Sequence, residues 1–345
     1  MKWLLFSDPQ FDDQLTYSTP TATGRTSRLE DQIRCLKWAF EVAKQQMCRG
    51  LITMGDVFDD RTGLTLPVID AVCSTYRQCF DEARNIDPAF RLVFLVGNHD
   101  AYLRNARITS LRMFESFADV VSEPTCIGKF ELVPWDDDRE KYVADLQEAA
   151  KNTSAQFLMS HGLIKGSVAD PNVGYDLSVF QPKRWKGVWM GDVHGPCSMA
   201  PNVHYIGAPM QHHFGDAGGS RGVVVLDDNS GLFKRVENTA SPRFHIVRTV
   251  EDYEALDASS LSKDFIRVEI PDPQASALVA ADARTHCPWV EAPAAMVEGE
   301  AFIPRLNLTD ALTDHDVLAQ YCAYKGVEDP RYLAMGRSLL EGVEQ

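Results

Sequence analysis

The sequence predicts an α/β fold followed by a smaller α+β domain and a helical tail. Three observations predict it. Short apolar runs alternate with amphipathic, helix-like segments over residues 1–240. Most of those runs are continuously apolar, as expected of central strands covered on both faces. After Ser241-Pro242 the spacing changes, and from Thr309 onward the pattern returns to helix. The boundaries expected are therefore 1–240, 241–308 and 309–345.

Taken in order, the strand candidates of the first segment are Trp3–Phe6, Leu51–Met54, Leu92–Val96, Phe157–Ser160, Val188–Met190, Val203–Ile206 and Val223–Leu226. The first helix is signalled by Ser27-x-x-Glu30 as a capping box. Leu29, Ile33, Leu36, Phe40, Ala43 and Met47 supply one apolar face, and Gly50 a stop. Further helices are expected over Pro67–Phe80 and Asn105–Phe117. In the second segment Phe244–Val247 and Phe265–Ile270 read as strands, and Val250–Leu256 and Ala275–Arg284 as helices. In the tail, Thr313 caps a helix carrying Val317, Leu318, Tyr321 and Tyr324. Asp329 caps a second, with Pro330 at its first position and Leu333, Leu339 and Leu340 following. There is no internal repeat and no low-complexity tract.

Composition narrows the function classes. The 345 residues are 45% hydrophobic and 24% charged, ordinary for a globular protein. No apolar run reaches membrane-spanning length, and the short Lys2–Phe6 start does not form a signal-peptide core, so a cytoplasmic protein without membrane contact is expected. The eight cysteines form no C-x-x-C pair, which argues against a zinc finger or a disulfide framework. A net charge of −15 works against phosphate binding. Any nucleic acid must then be reached through metal cations, a local basic patch or a partner.

The chemistry sits at the strand ends. Trp3–Phe6 runs into Asp8-Pro9-Gln10, and Leu51–Met54 into Gly55-Asp56-Val57-Phe58-Asp59. Leu92–Val96 is followed by Gly97-Asn98-His99-Asp100, Phe157–Met159 by Ser160-His161-Gly162, and Val188–Met190 by Gly191-Asp192-Val193-His194-Gly195. Each block alone is a common turn. Five in succession place metal-competent or proton-transfer side chains where an α/β sheet binds its ligands, with glycines permitting tight turns.

These blocks resemble those of the calcineurin-like metallophosphoesterases, whose pattern is D-x-H, G-D-x-x-D, G-N-H-D/E, a His before Gly, and G-H-x-H. Within that superfamily, GDVFD with GNHD, and Tyr205-Ile206-Gly207-Ala208-Pro209 followed by Phe214-Gly215-Asp216, are similar to the SbcD-type nuclease subunits of DNA double-strand-break repair. The resemblance implies a four-layer αββα core, a capping domain after residue 241, and a two-metal nuclease acting on DNA in repair, recombination or replication. It also implies a homodimer and a coiled-coil SbcC-like ATPase partner bound through the helical tail. Position by position, Asp56 would bridge two divalent ions, with Asp8, Gln10 and His194 completing one shell and Asn98, His161 and Asp192 the other. His99 would act on the scissile phosphate, oriented by Asp100.

Two positions depart from the pattern. Gln10 stands for the His of D-x-H, and Asp192 for the first His of G-H-x-H. Oxygen donors there favour manganese, with magnesium next, over zinc. The alternatives are a metallophosphatase or cyclic-nucleotide phosphodiesterase on small substrates, and a catalytically silent assembly subunit. His212-His213 is expected to be a solvated pair.

Overall fold

The computed structural model describes residues 1–14, 16–102, 108–152, 154–292, 313–324 and 337. Residues 1–293 form one compact unit. Its first sheet holds β1 (Lys2–Phe6), β2 (Gly50–Thr53), β3 (Arg91–Leu95) and β4 (Asp119–Val121) in parallel succession. The second sheet is built around β6 (Phe130–Val133), β7 (Phe157–His161) and β8 (Gly187–Gly191), with β5 (Thr125–Ile127) antiparallel at one edge. On the far side of β8 lie β10 (Val203–Tyr205), parallel to it, and β9 (Cys197–Ala200), antiparallel to β10. The chain then returns to the first sheet through β11 (Gly222–Asp227), antiparallel to β1, and β12 (Phe233–Glu237). The strand orders are β12-β11-β1-β2-β3-β4 and β5-β6-β7-β8-β10-β9.

The central strands β1, β2, β3, β7 and β8 are largely apolar because both faces are buried. Side chains alternate across a strand. Leu4 and Phe6 pack among α1 (Ser27–Gln45) and α2 (Leu66–Ile86). Trp3 and Leu5 turn the other way, into the layer between the sheets with Ile52, Met54, Val93, Phe157, Met159 and Trp189. On the outside of the second sheet Leu158, Val188 and Met190 meet Tyr142 and Leu146 of α3 (Arg139–Ala149). The result is the expected αββα sandwich.

Local details differ from the expectation. The cap of α1 is Thr26, whose side chain accepts from the Leu29 amide, while Glu30 bonds the hydroxyls of Thr21 and Thr23. Gly50 does not stop the helix, which ends at Gln45. The turn is made by exposed Met47 at φ 56°. Gly50 instead opens β2, where a Cβ would stand 2.5 Å from the Trp3 ring. The segment expected as a helix over Asn105–Phe117 contains a 3₁₀ turn, Ser110–Phe114, within its described part. Strands β4, β5, β6, β9 and β12 and helix α3 of the first segment, and the strand over Trp289–Glu291 of the second, have no counterpart among the expected elements.

After Ser241 a third, all-parallel sheet runs β13 (Phe244–Val247), β14 (Phe265–Val268) and β15 (Trp289–Glu291). It is accompanied by α4 (Val250–Glu254) and α5 (Pro273–His286), whose Val279, Ala280 and Ala283 pack on Ile266 and Val268. Phe244 stacks on Phe265 at 4.5 Å, and Tyr17 from the first segment meets Phe244 edge-on at 5.2 Å. The remaining unit is residues 294–345, of which α6 (Asp314–Tyr324) is described. Thr313 precedes α6, its hydroxyl bonded to Asp316 at 2.6 Å. The second tail helix, with Asp329, Leu333 and Leu339, lies outside the described residues.

Candidate metal centre

Strands β1, β2 and β3 of one sheet and β7 and β8 of the other end at the same place. Close approach of their loops depends on the glycines. A Cβ at Gly97 would lie 2.3 Å from Asp56 Oδ1, and one at Gly55 (φ 94°) would lie 2.3 Å from His161 Nδ1. Asp8, Gln10, Asp56 and Asp192 themselves take positive φ values of 51°, 43°, 53° and 93°. For non-glycine residues that conformation costs roughly 1–2 kcal/mol each.

These turns bring donor atoms together. Asp8, Asp56 and His161 are fully buried, and one ligand atom from each lies within 4.8 Å of the others. His161 Nε2 stands 3.3 Å from Asp56 Oδ1, 3.9 Å from Asp192 Oδ1 and 2.8 Å from the Asn98 amide. Its other nitrogen, Nδ1, lies 2.7 Å from the Met54 carbonyl. A ring bonded there presents Nε2 to the centre, the way a metal-binding imidazole is commonly fixed. His194 is held likewise, with Nδ1 at 3.3 Å from Asp216 Oδ2. Asp216 is itself fixed by the Arg221 guanidinium at 3.1 Å and the His212 amide at 2.9 Å.

Three carboxylates share this low-dielectric pocket. Burial raises the Asp8 carboxyl above its ordinary value, and adjacent Asp56 adds to the rise. Burial also pushes Asp192 up to about 6. Asp56 is held below the carboxylate range because the charge and hydrogen bond of His161 outweigh its desolvation. His161 rises well above an ordinary imidazole, since Asp56, Asp192 and Asp8 together overcome burial. Crowding and burial disfavour ionising all three acids at once and an added cation offsets that cost, so the donor set fits divalent cations.

The structure brings Asp8, Asp56, Asn98, His161 and Asp192 into one cluster, with His194 entering from the loop after β8. Gln10 is in the same loop as Asp8. Its amide donates to the Asp56 carbonyl at 3.0 Å, and its carbonyl accepts from Gln32 of α1 at 2.7 Å. No polar partner of the Gln10 side chain is found among the described residues.

The expectation that Asp100 orients His99 needs correction. Asp100 Oδ2 accepts from the amides of Asp56 at 2.8 Å and Gly97 at 3.0 Å, and Oδ1 from those of Val57 at 2.9 Å and Phe58 at 3.4 Å. Burial, with Asp56 beside it, pushes this carboxyl up to about 7 against the opposing pull of those amides. Asp100 thus fastens the two loops together. The His99 ring is held by Asp59, whose carbonyl lies 2.5 Å from Nδ1, and the His99 amide donates to Asp56 Oδ1 at 2.9 Å.

His212 is not solvated. It is half-buried, its Nε2 donates to the Asp8 carbonyl at 2.9 Å, and desolvation with neighbouring His194 lowers it well below an ordinary imidazole. His213 is exposed, as expected of it. Asp59 and Asp216 both lay inside the quoted motifs and could have been assigned. Nothing in the sequence distinguishes His212 from its neighbour.

Two stacked sheets with helices outside them and site-bearing loops at one shared end make the αββα arrangement that the motif order implies. No family model matches the sequence. The chain is similar to "Exonuclease subunit 1" of Enterobacteria phage T4, at 27% identity over 219 residues covering 61% of this chain. It spans 62% of the length of that curated relative. Among solved structures, a dimetal phosphatase from Danio rerio overlaps 65% of this chain and 91% of its own at 13% identity and a TM-score of 0.38. The Pseudomonas putida nuclease MPE overlaps 59% and 66% at 16% identity and 0.25, and the phosphoesterase Yfce from E. coli 69% and 98% at 12% and 0.31. Scores of this size carry no weight beside the chain's own topology.

Proposed function

We propose that this chain is a two-metal-dependent DNA nuclease, the nuclease subunit of an SbcCD-type complex. The observation that carries the reading is the buried cluster of Asp8, Asp56 and His161, with half-buried Asn98 and Asp192 beside it, at the ends of strands from both sheets. The similarity to a phage exonuclease subunit supports the substrate class and the idea of a complex. Asp8, Gln10 and His194 would hold one ion, Asn98, His161 and Asp192 the other, and Asp56 both. Manganese is the preferred metal and magnesium the next, because most of the donors are oxygens.

Such a pair of cations polarises a phosphodiester and activates water at neutral pH. The protein's own contributions are positional. The Met54 carbonyl and Asp216 aim the nitrogens of His161 and His194. Asp59 takes Nδ1 of His99 and leaves Nε2 to stabilise charge on the phosphate or to protonate the leaving oxygen.

The acidic balance of the chain assigns much of the DNA grip to the ATPase, with α6 and the tail as the docking element. Val317 and Leu318 of α6 are half-buried and Tyr321 is exposed. A homodimer working in the cytoplasm, the host's if the chain is phage-encoded, completes the reading. Among the described residues no helix is long and apolar enough to cross a membrane.

Digestion of linear and circular DNA in manganese and in magnesium, with and without a candidate ATPase, tests the proposal. Cleavage is expected in manganese, slower in magnesium. His99→Ala should lose about 10²-fold or more in rate while keeping both ions. Hydrolysis of nucleotide esters with no cleavage of any DNA would replace the reading by a small-substrate phosphatase. Protein that binds no manganese would leave only an assembly subunit.

The two departures from the family pattern give a separate expectation. Gln10→His with Asp192→His restores imidazole at both positions and removes one negative charge. Relative to manganese, the double variant should accept zinc or cobalt better than the parent does. An unchanged ranking in a metal-reconstitution series would take these residues out of the shells.

A further inference from the structure

The Asn98 side chain lies between the acidic cluster and an arginine, and its surroundings favour one orientation of the amide over the other. One end of its amide is 2.8 Å from His161 Nε2 and 3.1 Å from each Asp56 oxygen; the other end is 2.9 Å from Arg61 Nη2. Arg61 is half-buried and has no carboxylate partner among the described residues.

An amide has one acceptor end and one donor end, so only two arrangements exist. With Nδ2 inward, it donates to His161 and Asp56, and Oδ1 accepts from Arg61. Every contact is then a hydrogen bond while His161 Nε2 carries no proton, and protonation there costs only the His161 contact, leaving those with Asp56 and Arg61 intact without a cation. With Oδ1 inward, that oxygen joins both Asp56 oxygens and His161 Nε2. Nδ2 is then left donor to donor against Arg61. Protonating His161 would relieve its own contact but not the two with Asp56 or the one with Arg61. A cation bound by Asn98 Oδ1 and the Arg61–Asn98 hydrogen bond therefore exclude one another.

We propose that Arg61 is a phosphate-anchoring residue of this site, latched on Asn98 in the metal-free protein and released toward the substrate when a cation turns the amide round. The proposal rests on the two-metal phosphodiesterase reading and deepens it. Release of Arg61 places an unpaired guanidinium two residues from Asp59, which holds His99. Its fork matches two non-bridging phosphate oxygens, and it is a local cation in a chain whose net charge is −15.

The latch and the anchor predict opposite effects of one change. Arg61→Ala removes a competitor of the metal, so manganese should bind the chelator-stripped variant several-fold more tightly in calorimetry without substrate. The same variant should show a KM for a short oligonucleotide raised about tenfold or more, with kcat within a few-fold of the parent. Arg25→Ala, which removes a surface cation paired with Asp70, controls for net charge.

Tighter manganese binding in Arg61→Ala but not in Arg25→Ala, together with the raised KM, supports the proposal. Equal tightening in both variants assigns the effect to charge alone and overturns the latch. An unchanged KM overturns the anchor. A parent protein that neither binds manganese nor cleaves DNA would instead sink the two-metal reading itself, and this inference with it.

Discussion

Asp56→Ala should abolish turnover and leave the purified protein without either metal ion. The carboxylate is buried at the end of β2 and lies within reach of the donors of both proposed shells. It is held ionised by His161, whose Nε2 lies 3.3 Å away. Losing a ligand common to two shells costs both cations, whereas losing His194 or Asn98 costs one. The fold should survive without metal. Asp100 still gathers the loop amides, and removing one of three crowded carboxylates relieves repulsion among the rest. Elemental analysis beside a circular-dichroism spectrum checks this, and two ions retained on a folded variant would refute the bridging role.

Asp100→Ala should be the most destabilising single change at the centre. It strands four buried amides, those of Asp56, Val57, Phe58 and Gly97. Such hydrogen bonds are worth about 0.5–1.5 kcal/mol each, and about 1.5–3 kcal/mol where the carboxyl is ionised, while an unsatisfied buried donor costs about 1–3 kcal/mol. Even with water re-solvating some of them, a loss of roughly 3 kcal/mol or more is expected. Activity should fall too, because the loops carrying Asp56 and Asn98 part company. A role confined to orienting His99 makes a different forecast: the kinetic defect of His99→Ala with an unchanged melting temperature. A thermal melt of the two variants side by side decides between them.

Much of this arrangement was legible. A strand buried on both faces is apolar throughout, so β1, β2, β3, β7 and β8 stood out, and the polar residues ending each marked the centre. The missed elements failed that test for physical reasons. Strands β4 and β5 are three residues long with one buried position each. Helix α3 buries Tyr142, Leu146 and Ala149 at helical spacing, but eleven mixed residues rich in charge do not announce it. The site was less readable where a side chain serves the backbone. Asn-His-Asp says that Asp100 is near His99, and nothing in the letters says that its oxygens are already taken by amides from another loop. Arg61 after two aspartates reads as a solvated turn until Asn98 is seen beside it.

The left-handed turns at Asp8, Gln10, Asp56 and Asp192 have an evolutionary consequence. Of the seven described non-glycine residues with positive φ, these four hold proposed ligand positions. Glycine would relieve the strain at any of them, and Gln10 has the weakest excuse for its geometry, since Asp and Asn tolerate that region better. Folding alone would favour glycine there, so the strain at these four positions is read as the cost of the chemistry proposed for them. A lineage released from that chemistry would gain stability by drifting to glycine at these four positions, starting with position 10, long before the strands or the sandwich around them changed.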